Sequence, residues 1–303
     1  MTGGRLRVLP REEGTALRAL RLTVAPRALV TRAGTDVVVR TPSRPDHRAG
    51  NVVDLLVPPA AADVPALVAR VRRLLEPTGV DRPHLRWERP VGAADPAVAA
   101  ALVAAGAPPR VTRVLGIPAP EAPGPAPAGV ARLPVPGRDP GADDTATARR
   151  WHGAEVLQRY AEGDLPATWR ARATTGAAWD AWDRARVREL AALGRADVWL
   201  ATAQGIPVAT LTVLRDGAGA AHLEDLVTHP AHRRRGLATG LVAAAVAAEH
   251  AAAPGTLVTA EVVPGGASEA LLTGLGAVTV AEVVAALVAP DADAGPGPEG
   301  PHR

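Results

Sequence analysis

Residues 221–242 read Ala-His-Leu-Glu-Asp-Leu-Val-Thr-His-Pro-Ala-His-Arg-Arg-Arg-Gly-Leu-Ala-Thr-Gly-Leu-Val. An apolar strand runs into a proline turn, then an arginine triplet, a glycine and a long alanine-rich helix. A helix that begins near Gly236 leaves its first backbone N–H groups without intrahelical acceptors, and its macrodipole puts partial positive charge at the same end. The turn is therefore a ready anion site. Gly236 lets the backbone approach the anion, Arg233, Arg234 and Arg235 surround it with positive charge, and Thr239 offers a hydroxyl. Taken alone, three arginines in a row are equally a solvated basic turn or a nucleic-acid contact.

Upstream of the turn, strands at 198–203, 207–214 and 222–228 are separated only by Gln204-Gly205 and by 216–219. Connections that short force an antiparallel meander. Two helices precede it: 149–160, carrying Trp151, Val156, Leu157 and Tyr160, and 166–193, carrying Trp169, Trp179, Trp182, Val187 and Leu190 and stopped by Gly194. Downstream come the motif helix, a strand at 256–263, a helix at 268–273 and a strand at 278–288. The proline-, glycine- and charge-rich tail after Pro290 is expected to be disordered.

The N-terminal part begins with an arginine-rich stretch and a helix around 12–22. Strands at 37–39 and 52–57 follow, parted by a proline and glycine loop. Leu67, Val68, Val71, Leu74 and Leu75 have helical spacing over 65–75, and 84–87 reads as a strand. Asp95 and Pro96 open a helix as an N-cap and first-turn proline do, Gly106 ends it, and 110–117 is a strand. Proline, alanine and glycine dominate 118–141, which reads as a linker.

The order strand, helix, strand, helix, Gly-Ala, strand occurs twice, over 52–117 and over 222–288. The second helices end alike, in Leu-Val-Ala-Ala-Gly-Ala from Leu102 to Ala107 and Leu-Thr-Gly-Leu-Gly-Ala from Leu272 to Ala277. A duplicated fold is the expectation. The first copy departs at the turn: Val-Pro-Pro-Ala-Ala-Ala-Asp from Val57 to Asp63 has neither glycine nor arginine.

The succession of strand, Val-Thr-His-Pro, Arg-x-x-Gly-x-Ala and helix resembles the central motif of the GCN5-related N-acetyltransferases (GNAT), with Arg233, Gly236 and Ala238 at the fixed positions. The resemblance implies an α/β class, namely a tandem GNAT-like acyl-CoA N-acyltransferase fold with a mixed, largely antiparallel sheet flanked by helices. It implies acetyl-CoA as co-substrate, its pyrophosphate held by Arg233, Arg234, Arg235, Gly236, Leu237, Ala238 and Thr239. By the same resemblance the pantetheine arm lies where the motif strand and the next one splay apart, on the backbone of Leu226, Val227 and Thr228. The first copy, without that turn, is expected to be a degenerate GNAT-like domain that does not bind CoA.

An amine attacks a thioester only as the free base, so a proton acceptor is needed. Glu224 and Asp225 lie on one strand and, by simple alternation, on opposite faces. Glu224 is one candidate. The resemblance makes Glu261 on the following strand a second, since acetyltransferases of protein N-termini often place a glutamate near there, and His222, which shares the parity of Glu224 and has an intrinsic pKa near neutrality, is a third. Each is equally readable as a strand-end polar group bonded to a neighbour. The general acid that the resemblance implies is a tyrosine, and Leu272 stands in its place. Tyr160 reads as helix packing. The tryptophans read as core, and any that line a pocket favour an amphipathic or aromatic amine.

The 303 residues suffice for two domains, expected as 1–117, a linker at 118–144, a GNAT domain at 145–289 and a tail at 290–303. No cysteine is present, which excludes disulfides and thiolate metal sites and suits a reducing cytoplasm. A net charge of +3 is modest; the pI near 10.6 reflects only that almost nothing titrates between neutrality and arginine. Nucleic acid is therefore not an expected partner. The apolar runs at 237–253 and 278–289 are shorter than about 20 residues, too short for membrane spans. His229 and His232 have no third ligand at a telling spacing, so no metal is expected. The reading is a cytoplasmic N-acetyltransferase acting on a primary amine of a small molecule or peptide, a homodimer being one arrangement the sequence allows. Its rival is a non-catalytic acyl-CoA sensor or interaction module.

Overall fold

A computed structural model describes residues 14–23, 28–45, 47, 50–120, 128–142, 145–163 and 176–289. The tail after Pro290, Trp169 and the side chains of Tyr160, Trp179 and Trp182 lie outside the described residues. The chain divides into two compact units: Met1–Leu17, Arg27–Val111 and Glu282–Arg303 form the first, Arg18–Pro26 and Thr112–Ala281 the second.

In the first unit, β1 (Leu29–Ala33), β2 (Asp36–Arg40), β3 (Val52–Leu55) and β4 (His84–Arg89) lie in sequence order, and β11 (Val278–Leu287) follows β4. All neighbours are antiparallel except β3 and β4, which pair in parallel from Val52↔His84 to Leu55↔Trp87. A parallel pair needs a crossover, and α2 (Val64–Leu75) supplies it. Its Val64, Leu67, Val68, Val71 and Leu75 are buried, at the helical spacing that turns one face to the sheet. α3 (Pro96–Ala104) starts at Asp95, whose carboxylate accepts from the N–H of Ala97 and of Val98, both at 3.0 Å. The core gathers these helices on Val53, Leu55, Leu85, Trp87, Val284 and Ala286. β1 escapes the periodicity because it is largely exposed; the two-residue turn Gly34-Thr35, with Gly34 at φ +66°, ties it to β2.

In the second unit the order is β5 (Pro109–Ile117, from Thr112 on), β10 (Leu257–Val262), β9 (Ala220–Thr228), β8 (Ile206–Arg215), β7 (Ala196–Ala203) and β6 (Val130–Arg132). Only β9 and β10 are parallel, and α6 (Leu237–Ala252) joins them. The β7–β8 turn places both Gln204 and Gly205 at positive φ, the backbone a tight hairpin requires. On one face α6 buries Leu241, Val242, Ala245 and Val246 against Leu211, Val213, Ala221, Leu223, Val258 and Ala260. On the other, α4 (Thr145–Gly163) and α5 (Gly176–Ala192) contribute Trp151, Ala154, Leu157, Val187 and Leu190, which pack with Val198, Leu200 and Leu214.

Two features depart from the reading of the sequence. Part of the proline-rich segment is built into the second unit: β6 pairs with β7, and Leu133 and Val135 join the core. Its larger apolar residues are too sparse to show periodicity, yet Val130, Leu133 and Val135 are buried. Secondly, the last strand of each repeat completes the sheet of the other unit. β5, from the first repeat, pairs with β10, while Glu282–Leu287 of β11, from the second, pairs with β4. The units are therefore not contiguous blocks of sequence.

The repeated ends of α3 and α7 (Ala267–Gly274) share their hydrogen bonds. Gly106 N–H donates to Val103 O and Ala107 N–H to Leu102 O, and likewise Gly276 to Thr273 and Ala277 to Leu272. Gly106 and Gly276 have φ +71° and +84°. This is the glycine-terminated helix cap, with a buried leucine and alanine bracketing it in each copy.

Candidate acyl-CoA site

The parallel ladder between β9 and β10 stops at Leu223↔Ala260. β9 continues for five residues, to Thr228, and β10 for two, to Val262, without pairing to each other. At the same level β9 is bulged against β8: Thr212 pairs with Glu224 and Thr210 with Val227, so Asp225 and Leu226 oppose the single Leu211. Asp225 takes φ +54°, and Ala221, Leu223 and Leu226 all end on the α6 side. Simple alternation therefore fails for Glu224 and Asp225, because a bulge slips the parity by one. Leu226, Val227 and Thr228 lie past the last rung, along the opening.

β9 then enters the turn. His229 N–H donates to Val208 O at 2.9 Å, and the His229 ring Nδ1 accepts from Ala231 N–H at 3.3 Å, starting a short 3-10 turn over Pro230–His232. Arg233 folds back, its Nε donating to Thr228 O at 3.2 Å. Arg234 and Gly236 both adopt left-handed backbone, φ +63° and +75°, flanking Arg235. Alternating conformations of this sort turn successive N–H groups into one concavity. The first α6 bond that Gly236 O accepts comes from Gly240 N–H at 2.9 Å, so the amides of Leu237, Ala238 and Thr239 precede it. A Cβ at Gly236 meets nothing within 4 Å, and Arg234, Arg235 and Thr239 are exposed. These residues suit a diphosphate: donors, positive charge and an open approach come from consecutive positions.

The three candidate bases have different surroundings. His222, 2% exposed, pairs across the ladder with Thr259, and its Nδ1 lies 3.0 Å from Thr259 Oγ1. The threonine hydroxyl gives its one proton to Ala221 O at 3.1 Å, so Nδ1–H is the donor and the imidazole is a bridge inside the sheet. That position argues against His222 as a proton acceptor for substrate. A two-residue period carries its face onward to Glu224 on β9 and, from Thr259, to Glu261 on β10. The two carboxylates thus flank the opening on one face. Glu224 accepts from Arg186 Nη2 of α5 at 2.7 Å, with Arg186 only 5% exposed in its side chain. Glu261 is exposed and accepts from Thr112 Oγ1 at 2.5 Å. Arg186 and Thr112 carry no sequence signal, since each meets its partner only through tertiary packing.

Leu272, in the place of the expected tyrosine, is 2% exposed in the α6-side core. Trp151 is buried, its Nε1–H donating to Pro134 O at 2.9 Å, and Arg188 lies over its ring. The His229 and His232 rings meet edge-on at 5.8 Å. Among the described residues, no three His, Cys, Asp or Glu are grouped to hold a metal ion, and no helix is long and apolar enough to cross a membrane.

In the second unit, then, a parallel pair parts beside a bulge and feeds the left-handed turn at Gly236. Residues 165–272 match the acetyltransferase (GNAT) family model, and this stretch of the chain is a GNAT-family acyltransferase domain. Among solved structures, the chain is similar to a functionally unknown conserved protein from Staphylococcus epidermidis, with TM-score 0.65, 9% identity and coverage of 87% of this chain and 95% of that one. A GCN5-related N-acetyltransferase from Kribbella flavida matches at TM-score 0.56 and 19% identity, over 90% and 92% of the two chains. Another from Sphaerobacter thermophilus matches at 0.50 and 17%, over 85% and 81%. At these identities the structures speak for the fold. No curated protein sequence matches the chain.

Proposed function

We propose that the second unit is an acetyl-CoA-dependent N-acetyltransferase that modifies a primary amine, and that the first unit is a degenerate copy that does not bind CoA. The observation that carries the reading is the coincidence of the β9 bulge, the last β9–β10 rung and the left-handed turn at Gly236. Acetyl-CoA supplies the acyl group as an activated thioester. Leu237, Ala238 and Thr239 amides with Arg233, Arg234 and Arg235 hold its diphosphate, and the backbone of Leu226, Val227 and Thr228 lines the arm. Glu261 accepts the proton that the amine gives up. Of the two carboxylates at the opening it is the one not already paired with a permanently charged guanidinium: Arg186 holds Glu224, while the partner of Glu261 is a neutral hydroxyl. With Leu272 buried, solvent protonates the departing thiolate, which is a competent leaving group near neutrality.

Calorimetry with acetyl-CoA tests the site. Gly236→Asp puts bulk and negative charge in the turn, and aspartate tolerates left-handed backbone better than most residues. Binding at least tenfold weaker than wild type is expected, without loss of folding. Equal heats from the two proteins reject the assignment. The buried Leu272 also favours a second reading, a non-catalytic acyl-CoA sensor. Thiol release from acetyl-CoA with tyramine, putrescine and a glycine-terminated peptide separates the two; the chain has no cysteine, so a thiol reagent sees only free CoA. Tight binding with no release in the whole panel selects the sensor.

A further inference from the structure

The strand that completes the second unit brings two polar side chains to the end of β10, one on each face of the sheet. Thr112 Oγ1 donates to Glu261 Oε1 at 2.5 Å. Next to it, Arg113 Nη1 donates to Glu269 Oε1 at 2.7 Å, and Glu269 Oε2 accepts from Gly265 N–H at 2.6 Å. Arg113 therefore fixes the turn that follows β10, and with it the direction in which the end of β10 leaves the sheet. The Arg113 hydrogen bond, then that from Gly265, holds the Glu269 carboxyl below the usual carboxylate range, so this clamp stays charged at any ordinary pH. β5 pairs with β10 directly beneath, from Val258↔Ile117 to Val262↔Arg113, so Thr112 stands one residue past the last rung.

We infer that Thr112 is a positioning residue for the reaction: it holds the Glu261 carboxylate at the opening and turns it so that its second oxygen faces the amine. The inference rests on the reading of Glu261 as the base. It goes further in assigning the orientation of that base to the last strand of the first repeat, a segment that lies before the region matched by the family model. A glutamate near a strand end has three rotatable bonds, and without a fixed partner it samples several directions. One charge-assisted hydrogen bond from a backbone-anchored threonine selects among them. The N-terminal repeat thus contributes to catalysis even where it binds no CoA itself.

The test uses the full chain. In isotope-labelled protein without ligand, the Glu261 side-chain carboxyl resonance, assigned by its disappearance in Glu261→Gln, is expected to move in Thr112→Val and to return in Thr112→Ser. In the thiol-release assay, with the amine that is turned over fastest or with water as acceptor, Thr112→Val is expected to lower kcat about tenfold. KM and calorimetric affinity for acetyl-CoA stay unchanged, Thr112→Ser restores the rate, and Thr112→Val adds nothing on the Glu261→Gln background. An unmoved resonance in Thr112→Val overturns the inference, as does a further tenfold loss on that background. Full activity of Glu261→Gln sinks the base assignment instead, and does so whether or not the resonance responds.

Discussion

The crossovers β3–α2–β4 and β9–α6–β10 start from the same plan and end differently. Both ladders have four parallel rungs, and the third rung of each is a buried polar pair: Asp54↔Arg86, joined by an ion pair at 2.5 Å, and His222↔Thr259. Beyond the fourth rung they diverge. From Leu223 to the start of α6 the chain takes fourteen positions, against nine from Leu55 to the start of α2. The added length is the bulged, unpaired end of β9. In the first unit the strand ends with the ladder, the space before α2 is filled by the 3-10 turn Ala61–Asp63, and the N-cap is an acid, Asp63. An anion at that helix start meets a negative charge and a turn already closed on itself. On the proposed reading, binding capacity resides in the overhang and the turn, not in the crossover as such.

The sharpest difference concerns one carboxylate in each copy. Two residues past Arg86 and Thr259 stand Glu88 and Glu261. Glu88 accepts from the N–H of Ala16, at 2.9 Å, and of Leu17, at 3.4 Å, so it caps the start of α1 (Thr15–Leu20). Glu261 is left at the surface with Thr112. Glu261→Gln is expected to reduce kcat for thiol release by about a hundredfold or more, the range of a lost general base. Glu88→Gln leaves kcat within about twofold and costs about 1 kcal/mol of stability through the weakened cap. If the two substitutions affect turnover alike, the functional division between the copies is wrong.

This comparison shows what the sequence could carry. Residues 229–239 were legible because every group that forms the turn is consecutive, and the Gly-Ala ends of α3 and α7 were legible because a left-handed cap needs glycine. The elements that build the rest of the site were hidden for physical reasons. The bulge at Asp225 depends on how β9 meets β8, and no residue type there demands it. The exchange of β5 and β11 is a choice among equally apolar strands, made by sheet packing over long sequence separations. Val130, Leu133 and Val135 stand among prolines with no period. The resemblance made Glu224 and Glu261 candidates, but nothing in the sequence puts Arg186 beside the first or Thr112 beside the second.

Buried charge offers a second contrast, with a smaller expected effect than loss of the base. In the first unit the most enclosed case is the rung Asp54–Arg86. In the second it spreads away from the opening: Asp197 accepts from Arg138 at 2.5 Å, Arg215 at 2.6 Å and Arg132 at 3.1 Å, and Arg215 also holds the buried Glu249 of α6. Burial pushes the Asp197 carboxyl up, but the hydrogen bonds and charge of Arg138 and Arg215 outweigh it, so it titrates below its ordinary 3.8. A carboxylate whose folded value is depressed stabilises the fold above the unfolded value and loses that contribution as pH falls through the folded one. Asp197→Asn is therefore expected to cost about 3 kcal/mol in urea unfolding at neutral pH, with the gap to wild type closing below pH 3.8. A gap independent of acid assigns the cost to packing rather than charge.

The smallest effect tests what the copies still share. Gly106 and Gly276 occupy the same cap with positive φ, and a Cβ at either meets one atom at ordinary contact distance, Ala289 Cβ at 3.4 Å and Pro118 Cγ at 3.5 Å. Neither site has a steric reason to resist alanine beyond the backbone itself, so Gly106→Ala and Gly276→Ala should each destabilise by about 1 kcal/mol. Equal losses, read from thermal unfolding, mean that the helix ends remain interchangeable while the turns are not. A loss at Gly276 several times that at Gly106 places a second difference between the copies at the end of α7, next to the turn that Arg113 and Glu269 hold.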